Sequence, residues 1–105
     1  MSNFWNNALM YPAAELITAM TGSTVLIGTL LHRPVKLIMD NQSAAPVVLY
    51  VSYDGGATLI QFHTFPAAEA MIIDDDLYTL SQGASFYGNG AASGSFSISY
   101  FFVKE

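Results

Sequence analysis

Residues 95–100 alternate without a break: Ser95, Ser97 and Ser99 take one parity, and Phe96, Ile98 and Tyr100, with Phe102 beyond them, take the other. A period of two sends successive side chains to opposite faces of an extended chain, so this segment reads as a strand with an aromatic face and a serine face. Such a strand needs neighbours to pair its backbone and a second layer to cover its apolar side. The rest of the sequence supplies them. Residues 25–31, 35–39 and 47–53 are dominated by β-branched, leucine and aromatic side chains, and each lies between clusters of turn formers. Glycine, proline and Asx residues cut the chain at intervals of roughly 8 to 15 residues, the spacing of a meander or Greek-key sandwich.

Within that frame, Pro34 removes a ladder donor and marks a bend or a change of sheet. Asp54-Gly55-Gly56 supplies the positive φ of a tight hairpin turn between residues 47–53 and a returning strand over 59–65, which ends at Pro66. A further strand is expected over residues 69–74, closed by Asp74-Asp75-Asp76. A short one is expected over 84–87, inside the glycine-rich stretch 81–94, where Gly83, Gly88, Gly90 and Gly94 serve turns and close backbone approach. Residues 13–20 fit both a helical face (Leu16, Ile17, Met20) and a strand (Thr18, Thr21-Gly22), and are read as strand. The expected fold is all-β: an antiparallel sandwich, jelly-roll or Greek-key-like, of about seven or eight short strands. Residues 1–12 are read as an N-terminal arm and 13–105 as the single domain. In the arm Phe4, Trp5, Leu9 and Met10 are too apolar for water, and Asn6, Asn7 and Pro12 disfavour a helix. Docking on a neighbouring subunit or folding back on the same domain would each resolve that conflict.

Charge separates the function classes. Only 10% of the residues are Asp, Glu, Lys or Arg, against about 25% in average soluble domains. With 52% hydrophobic residues, the chain carries more apolar surface than one core of this size hides, and the surplus points to protein interfaces. Arg33, Lys36 and Lys104 are the only basic residues and the net charge is −5, far from a phosphate-neutralising patch, so no nucleic-acid partner is expected. The uncharged stretches 16–32 and 77–103 are broken by Gly, Ser and Thr, so no membrane span is expected. No positive residue precedes an apolar run at the N-terminus, so no secretion signal is read and the mature protein is expected to start near Met1. Cysteine is absent, which removes disulfides and thiolate chemistry.

No residue pattern assigns catalysis. His32 and His63 have no third ligand at metal spacing; His63 is expected half-exposed on a strand with Gln61 and Phe65 on its face, and His32 at the Arg33-Pro34 bend. The Asp74-Asp75-Asp76 run lacks the glycines and repeat of a calcium loop and reads as a solvated turn. Residues 88–94 lack the Lys-Ser/Thr ending and the following helix of a phosphate loop. No serine sits in Gly-x-Ser-x-Gly. No cofactor and no enzymatic activity are expected.

The segments Leu37-Ile38-Met39-Asp40-Asn41, Pro46-Val47, Val51-Ser52-Tyr53-Asp54-Gly55-Gly56, Ile72-Ile73-Asp74 and Gly94-Ser95-Phe96-Ser97-Ile98-Ser99-Tyr100 together resemble small β-sandwich structural proteins of tailed bacteriophage virions. In that group an Asn closes one strand, an Asp-Gly hairpin follows, and a Gly-led alternating strand ends near a tyrosine. The resemblance spans residues 24–103. It implies a non-enzymatic virion subunit assembled in the host cytoplasm, first a capsid decoration or cement protein. Such a subunit binds the major capsid protein or other virion proteins as a trimer or higher homo-oligomer. A tail, collar or head-to-tail connector subunit is the competing expectation. A carbohydrate- or receptor-binding module using Tyr50, Tyr53, Tyr78 or Tyr87 is the alternative of another class. The interface candidates are Phe4, Trp5, Leu9 and Met10 of the arm and Phe101, which shares the parity of the serine face.

Overall fold

The computed structural model describes residues 10–74 and 80–103. These form nine strands: β1 (Met10–Pro12), β2 (Leu16–Ala19), β3 (Thr24–Thr29), β4 (Pro34–Asn41), β5 (Val47–Ser52), β6 (Ile60–Phe65), β7 (Ala70–Ile73), β8 (Ser85–Gly90) and β9 (Ser95–Val103). One sheet has the order β1-β9-β4-β7, with β2 following β1 along the same edge of β9; the other has the order β3-β8-β5-β6. Every pairing is antiparallel.

The order has a simple origin. β5 pairs with β6, β4 with β7, β3 with β8 and β2 with β9, so the chain doubles back at the β5–β6 hairpin as one long two-stranded ribbon. Wrapping that ribbon sets β9 beside β4 and β8 beside β5, and two sheets close over one core. This is the jelly roll, the expected sandwich. The ambiguous residues 13–20 contain strand β2. The bend at Pro34 is the change of sheet between β3 and β4.

Alternation fills the interior. Leu37 and Met39 of β4, Val47, Leu49 and Val51 of β5, Phe65 of β6, Phe86 of β8, and Phe96, Ile98 and Tyr100 of β9 are all buried. Phe65 and Phe96 meet edge to face across the two sheets, with ring centroids 5.0 Å apart, the geometry that aromatic quadrupoles favour. Inside β8, Gly88 and Gly90 leave room for Met20, Ile27 and Val47, the close approach expected of that glycine-rich stretch.

One end of the sandwich is held by a side chain. Asn41 closes β4 and is fully buried. Its amide nitrogen donates to the carbonyl oxygens of Ala45 (3.0 Å) and Pro66 (2.9 Å), with a longer contact to that of Phe65 (3.3 Å). Its Oδ1 accepts from the Ser43 backbone N–H (3.1 Å) and hydroxyl (2.7 Å). The β4–β5 and β6–β7 connections are thereby tied to one group. The Ala68 N–H donates to the Ser43 carbonyl (3.1 Å) in the same cluster. The β8–β9 turn joins them, because a Cβ at Gly94 would run into Ser43. At the other end, the Tyr100 hydroxyl accepts from the Leu31 N–H (3.0 Å) and fixes the β3–β4 connection.

Three local expectations need correcting. The β5–β6 link is not a tight turn: pairing stops at Val51 opposite Ile60, and residues 53–59 form a loop organised by side chains. Ser52 Oγ accepts from the Gly56 N–H (2.9 Å), and Asp54 Oδ1 accepts from the Thr58 N–H (2.8 Å) and the Ser52 hydroxyl (2.8 Å). The positive φ falls as expected on Gly55 (73°) and Gly56 (100°). Second, Gln61 does not share the face of His63, because the register shifts between them and Phe62 is the extra residue. Third, the serine face of β9 is not open to water throughout, since Ser97 is buried.

Asn41 yields a stability test. Removing it takes the acceptor from the Ser43 N–H and the shared donor from the three carbonyls, although the Ala45 carbonyl keeps the Ser43 hydroxyl (2.8 Å) and the Pro66 carbonyl keeps the Glu69 N–H (3.2 Å); a buried group left unpaired costs about 1–3 kcal/mol. Asn41→Ala is expected to lower unfolding stability by about 1–3 kcal/mol on that scale. Asn41→Asp, nearly the same shape, is expected to be at least as damaging because it turns an oxygen toward the carbonyls. Urea unfolding midpoints decide it, and an Asp variant as stable as wild type would show that Asn41 merely fills space.

Candidate interaction face

The outward face of the β1/β2-β9-β4-β7 sheet can be assembled from its registers. Ile17 lies opposite Ser97, which lies opposite Asp40, which lies opposite Ala70. Two residues along, Ser99 lies opposite Ile38, and Ile38 opposite Ile72. Two further, Pro12 lies opposite Phe101 and Phe101 opposite Lys36; Met10 and Val103 end the face. Ile72 is 62% and Ile17 51% exposed, while Ile38 and Phe101 are half-buried. The only charged residues in these strands are Lys36 and Asp40, both on this face. Lys36 places its Nζ 6.0 Å from the Phe101 ring centroid, close enough for its charge to meet the ring face.

Of the interface candidates, Phe101 and Met10 are on this face, and Met10 belongs to β1, so the last three residues of the segment read as an arm pair with β9. Phe4, Trp5 and Leu9 lie outside the described residues, as do Asp75, Asp76 and Tyr78. The sequence reading missed Ile17, Ile38 and Ile72, having assigned apolar strand residues to the core. A signal was present: in Lys36-Leu37-Ile38-Met39-Asp40 the two charges share the parity of Ile38, which places Ile38 outward with them.

The opposite outer face is of another kind. Leu26 lies opposite Tyr87, Tyr87 opposite Tyr50, and Tyr50 opposite Gln61; Thr24, Asn89, Val48 and Thr64 form the next row. Tyr87 is engaged, its hydroxyl donating to the Gly55 carbonyl (3.4 Å) and lying where a Cβ at Gly56 would fall. Tyr53 is exposed in the loop. His32 is exposed in the β3–β4 connection and stacks on Phe102 (3.7 Å between centroids, 5° between planes). His63 meets Phe65 edge-on and lies 3.5 Å from Glu69 Oε1. Among the described residues no three His, Asp or Glu side chains are grouped so as to hold a metal ion, and no helix is long and apolar enough to cross a membrane.

The sequence matches no protein-family model and no curated protein. Solved structures do match in fold. A chain of the Bacillus endospore appendages, described as disulfide-linked pili, superposes with a TM-score of 0.56 at 8% identity, over 91% of this chain and 89% of that one. Fe(II)-HppE with the alternative substrate (S)-1-HPP gives 0.50 at 6% identity, over 89% of this chain but 43% of that one. The Drosophila melanogaster CENP-C cupin domain gives 0.40 at 9% identity, over 92% and 61%. At these identities the first two share the fold and nothing more specific, and the present chain spans less than half of the HppE chain.

The Asp54 loop borders the tyrosine face, and its hydrogen bonds change the acidity of the carboxyl at its centre. Its carboxyl is held below the ordinary value of 3.8, first by the Thr58 N–H, then by the Thr58 and Ser52 hydroxyls. A carboxyl with a depressed folded-state pKa adds stability above its unfolded value, and that contribution is lost as pH falls through the folded value. The loop is therefore expected to stay ordered at pH 4 and to loosen below. In an NMR titration the Thr58 amide should move with a midpoint under 3.8 and cease to respond in Asp54→Asn; a midpoint at or above that value would contradict the loop geometry.

Proposed function

We propose that the chain is a non-enzymatic structural subunit of a tailed-bacteriophage virion, acting as a capsid decoration or cement protein that binds the head shell. The observation that carries this reading is the outer face just described, apolar along Ile17, Ile38, Ile72 and Phe101, on a domain with so few charges. An exposed apolar sheet face is costly in water and is kept where a neighbouring subunit of an assembly, a second copy included, covers it. The sequence resemblance to virion sandwiches supports the same reading, over residues that form β3 to β9. The endospore appendage chain shows that a jelly roll of this extent can be a building block of a long assembly. This chain has no cysteine, so its own assembly would rest on packing and not on disulfides.

A carbohydrate-binding role would draw on the other face, where Tyr50 and the exposed Tyr53 are available and Tyr87 is taken up by the loop. Aromatic rings can stack on sugars there, but such a role would not call for the apolar face on the other sheet.

Mass spectrometry of purified particles, with heads separated from tails, tests the proposal. The chain is expected in heads at a fixed ratio to the major shell protein. Its presence only in tails would replace the decoration reading by the connector or tail reading, and its absence from both would overturn the virion reading.

A further inference from the structure

We propose that the outer face of the β1/β2-β9-β4-β7 sheet is a self-complementary contact. In it a second copy of this chain packs face to face about a two-fold axis that crosses the strands through the row Ser99, Ile38 and Ile72. The argument rests on the pattern of charge on β4. Lys36, Ile38 and Asp40 occupy successive outward positions, so an apolar residue is flanked at equal distances by opposite charges. Four residues of extended chain hold Lys36 and Asp40 about 13 Å apart, too far to pair with each other. Neither enters an ion pair among the described residues; Asp40 accepts only a long contact from Gln42 Nε2 (3.3 Å), and Lys36 lies over Phe101.

Two sheets that pack face to face lie about 10 Å apart with strands aligned within about 30°, and an isologous pair can arrange this in two ways. With the axis along β4, Lys36 would face Lys36 of the other copy and Asp40 would face Asp40, which is repulsive on both sides. With the axis across the strands at Ile38, the two β4 strands run antiparallel, and each Lys36 faces Asp40 of the other copy. Ile38 then meets Ile38, Ile72 meets Ile72, and Phe101 comes over the row of Ser97 and Ile17. The charges thus exclude one arrangement and favour the other, while the central row supplies apolar area for either. Asp74, one residue beyond β7, stays exposed at the rim. The contact gives the assembly reading its self-association surface. It depends on that reading for its purpose alone, so particles lacking the chain would overturn the virion role and leave this contact standing.

Charge exchange in the full chain tests it by sedimentation equilibrium, with far-UV circular dichroism and urea unfolding to verify the fold. Wild type is expected to be a dimer that dissociates more readily as salt rises. Lys36→Asp and Asp40→Lys each put like charges opposite one another and are expected to weaken self-association roughly tenfold or more. The two single variants mixed are expected to form a heterodimer, since one carries two carboxylates and the other two ammonium groups. The double variant is expected to recover the homodimer. Should a β4 variant lose cooperative unfolding, Ile72→Asp at the exposed edge replaces it, placing two carboxylates together on the axis with the same expected loss. A wild-type chain that is strictly monomeric or a closed trimer would overturn the proposal, as would single variants that dimerise normally or a mixture that stays monomeric.

Discussion

Asn41 makes five hydrogen-bond contacts from a fully buried position, and the closed end of the sandwich depends on them. A jelly roll must turn the chain from one sheet to the other many times, and each crossing leaves backbone groups that no ladder satisfies. At this end the crossings after β4 and β6 come together around the buried Asn41, and one primary amide serves both. Its nitrogen has two hydrogens and three carbonyls in reach, and its oxygen has two lone pairs and two donors from Ser43. The site is therefore almost fully satisfied, which is the condition under which a buried polar group specifies a structure and does not weaken it. Packing of Gly94 against Ser43 then fixes where β9 begins, and with it the register that sends Phe96, Ile98 and Tyr100 inward and Phe101 outward.

That register determines both surfaces. Once β9 is set between β2 and β4, the outward rows follow by alternation, and Ile17, Ile38 and Ile72 gather on a face with one positive and one negative strand residue. The opposite face carries Leu26 and Val48 beside tyrosine, threonine and asparagine, and is bordered by a loop whose shape comes from Ser52, Asp54 and Thr58. The two faces thus differ in their polar groups: one sets a lysine and an aspartate on either side of an isoleucine, and the other has hydroxyls and amides but no charge.

Local features of the sequence were sufficient for most of the strands. β3 to β5 are short runs of β-branched, leucine or aromatic residues between turn formers, and the alternation of β9 gives its inward set directly, whereas β1 lies in the segment read as an arm and β8 continues past residue 87 through Gly88 and Gly90. Other features could not be read because they arise between distant segments. That Asn41 closes a strand is visible in order along the chain, but its acceptors at residues 45, 65 and 66 come together only when two crossings meet. The bulge at Phe62 follows from the partner strand and reverses the face of Gln61. The loop after β5 contains the Asp-Gly-Gly signal of a tight turn, yet Ser52 and Asp54 hold a wider one through side-chain hydrogen bonds. Ile72 was outside any reading that equates apolar with buried, and it is 62% exposed on the same face as Ile17 and Ile38.

The proposed contact joins the outer face of the β1/β2-β9-β4-β7 sheet to its counterpart in a second copy. Because the chain has no cysteine, one introduced thiol reports on one position without background. Ser99→Cys places it on the central row of that face, and Thr64→Cys places it on the outer face of the opposite sheet. Treated with a short bis-maleimide at the same concentration, the Ser99→Cys protein is predicted to become a covalent dimer and the Thr64→Cys protein to remain uncoupled. Equal coupling of the two, or coupling through residue 64 alone, would contradict the account.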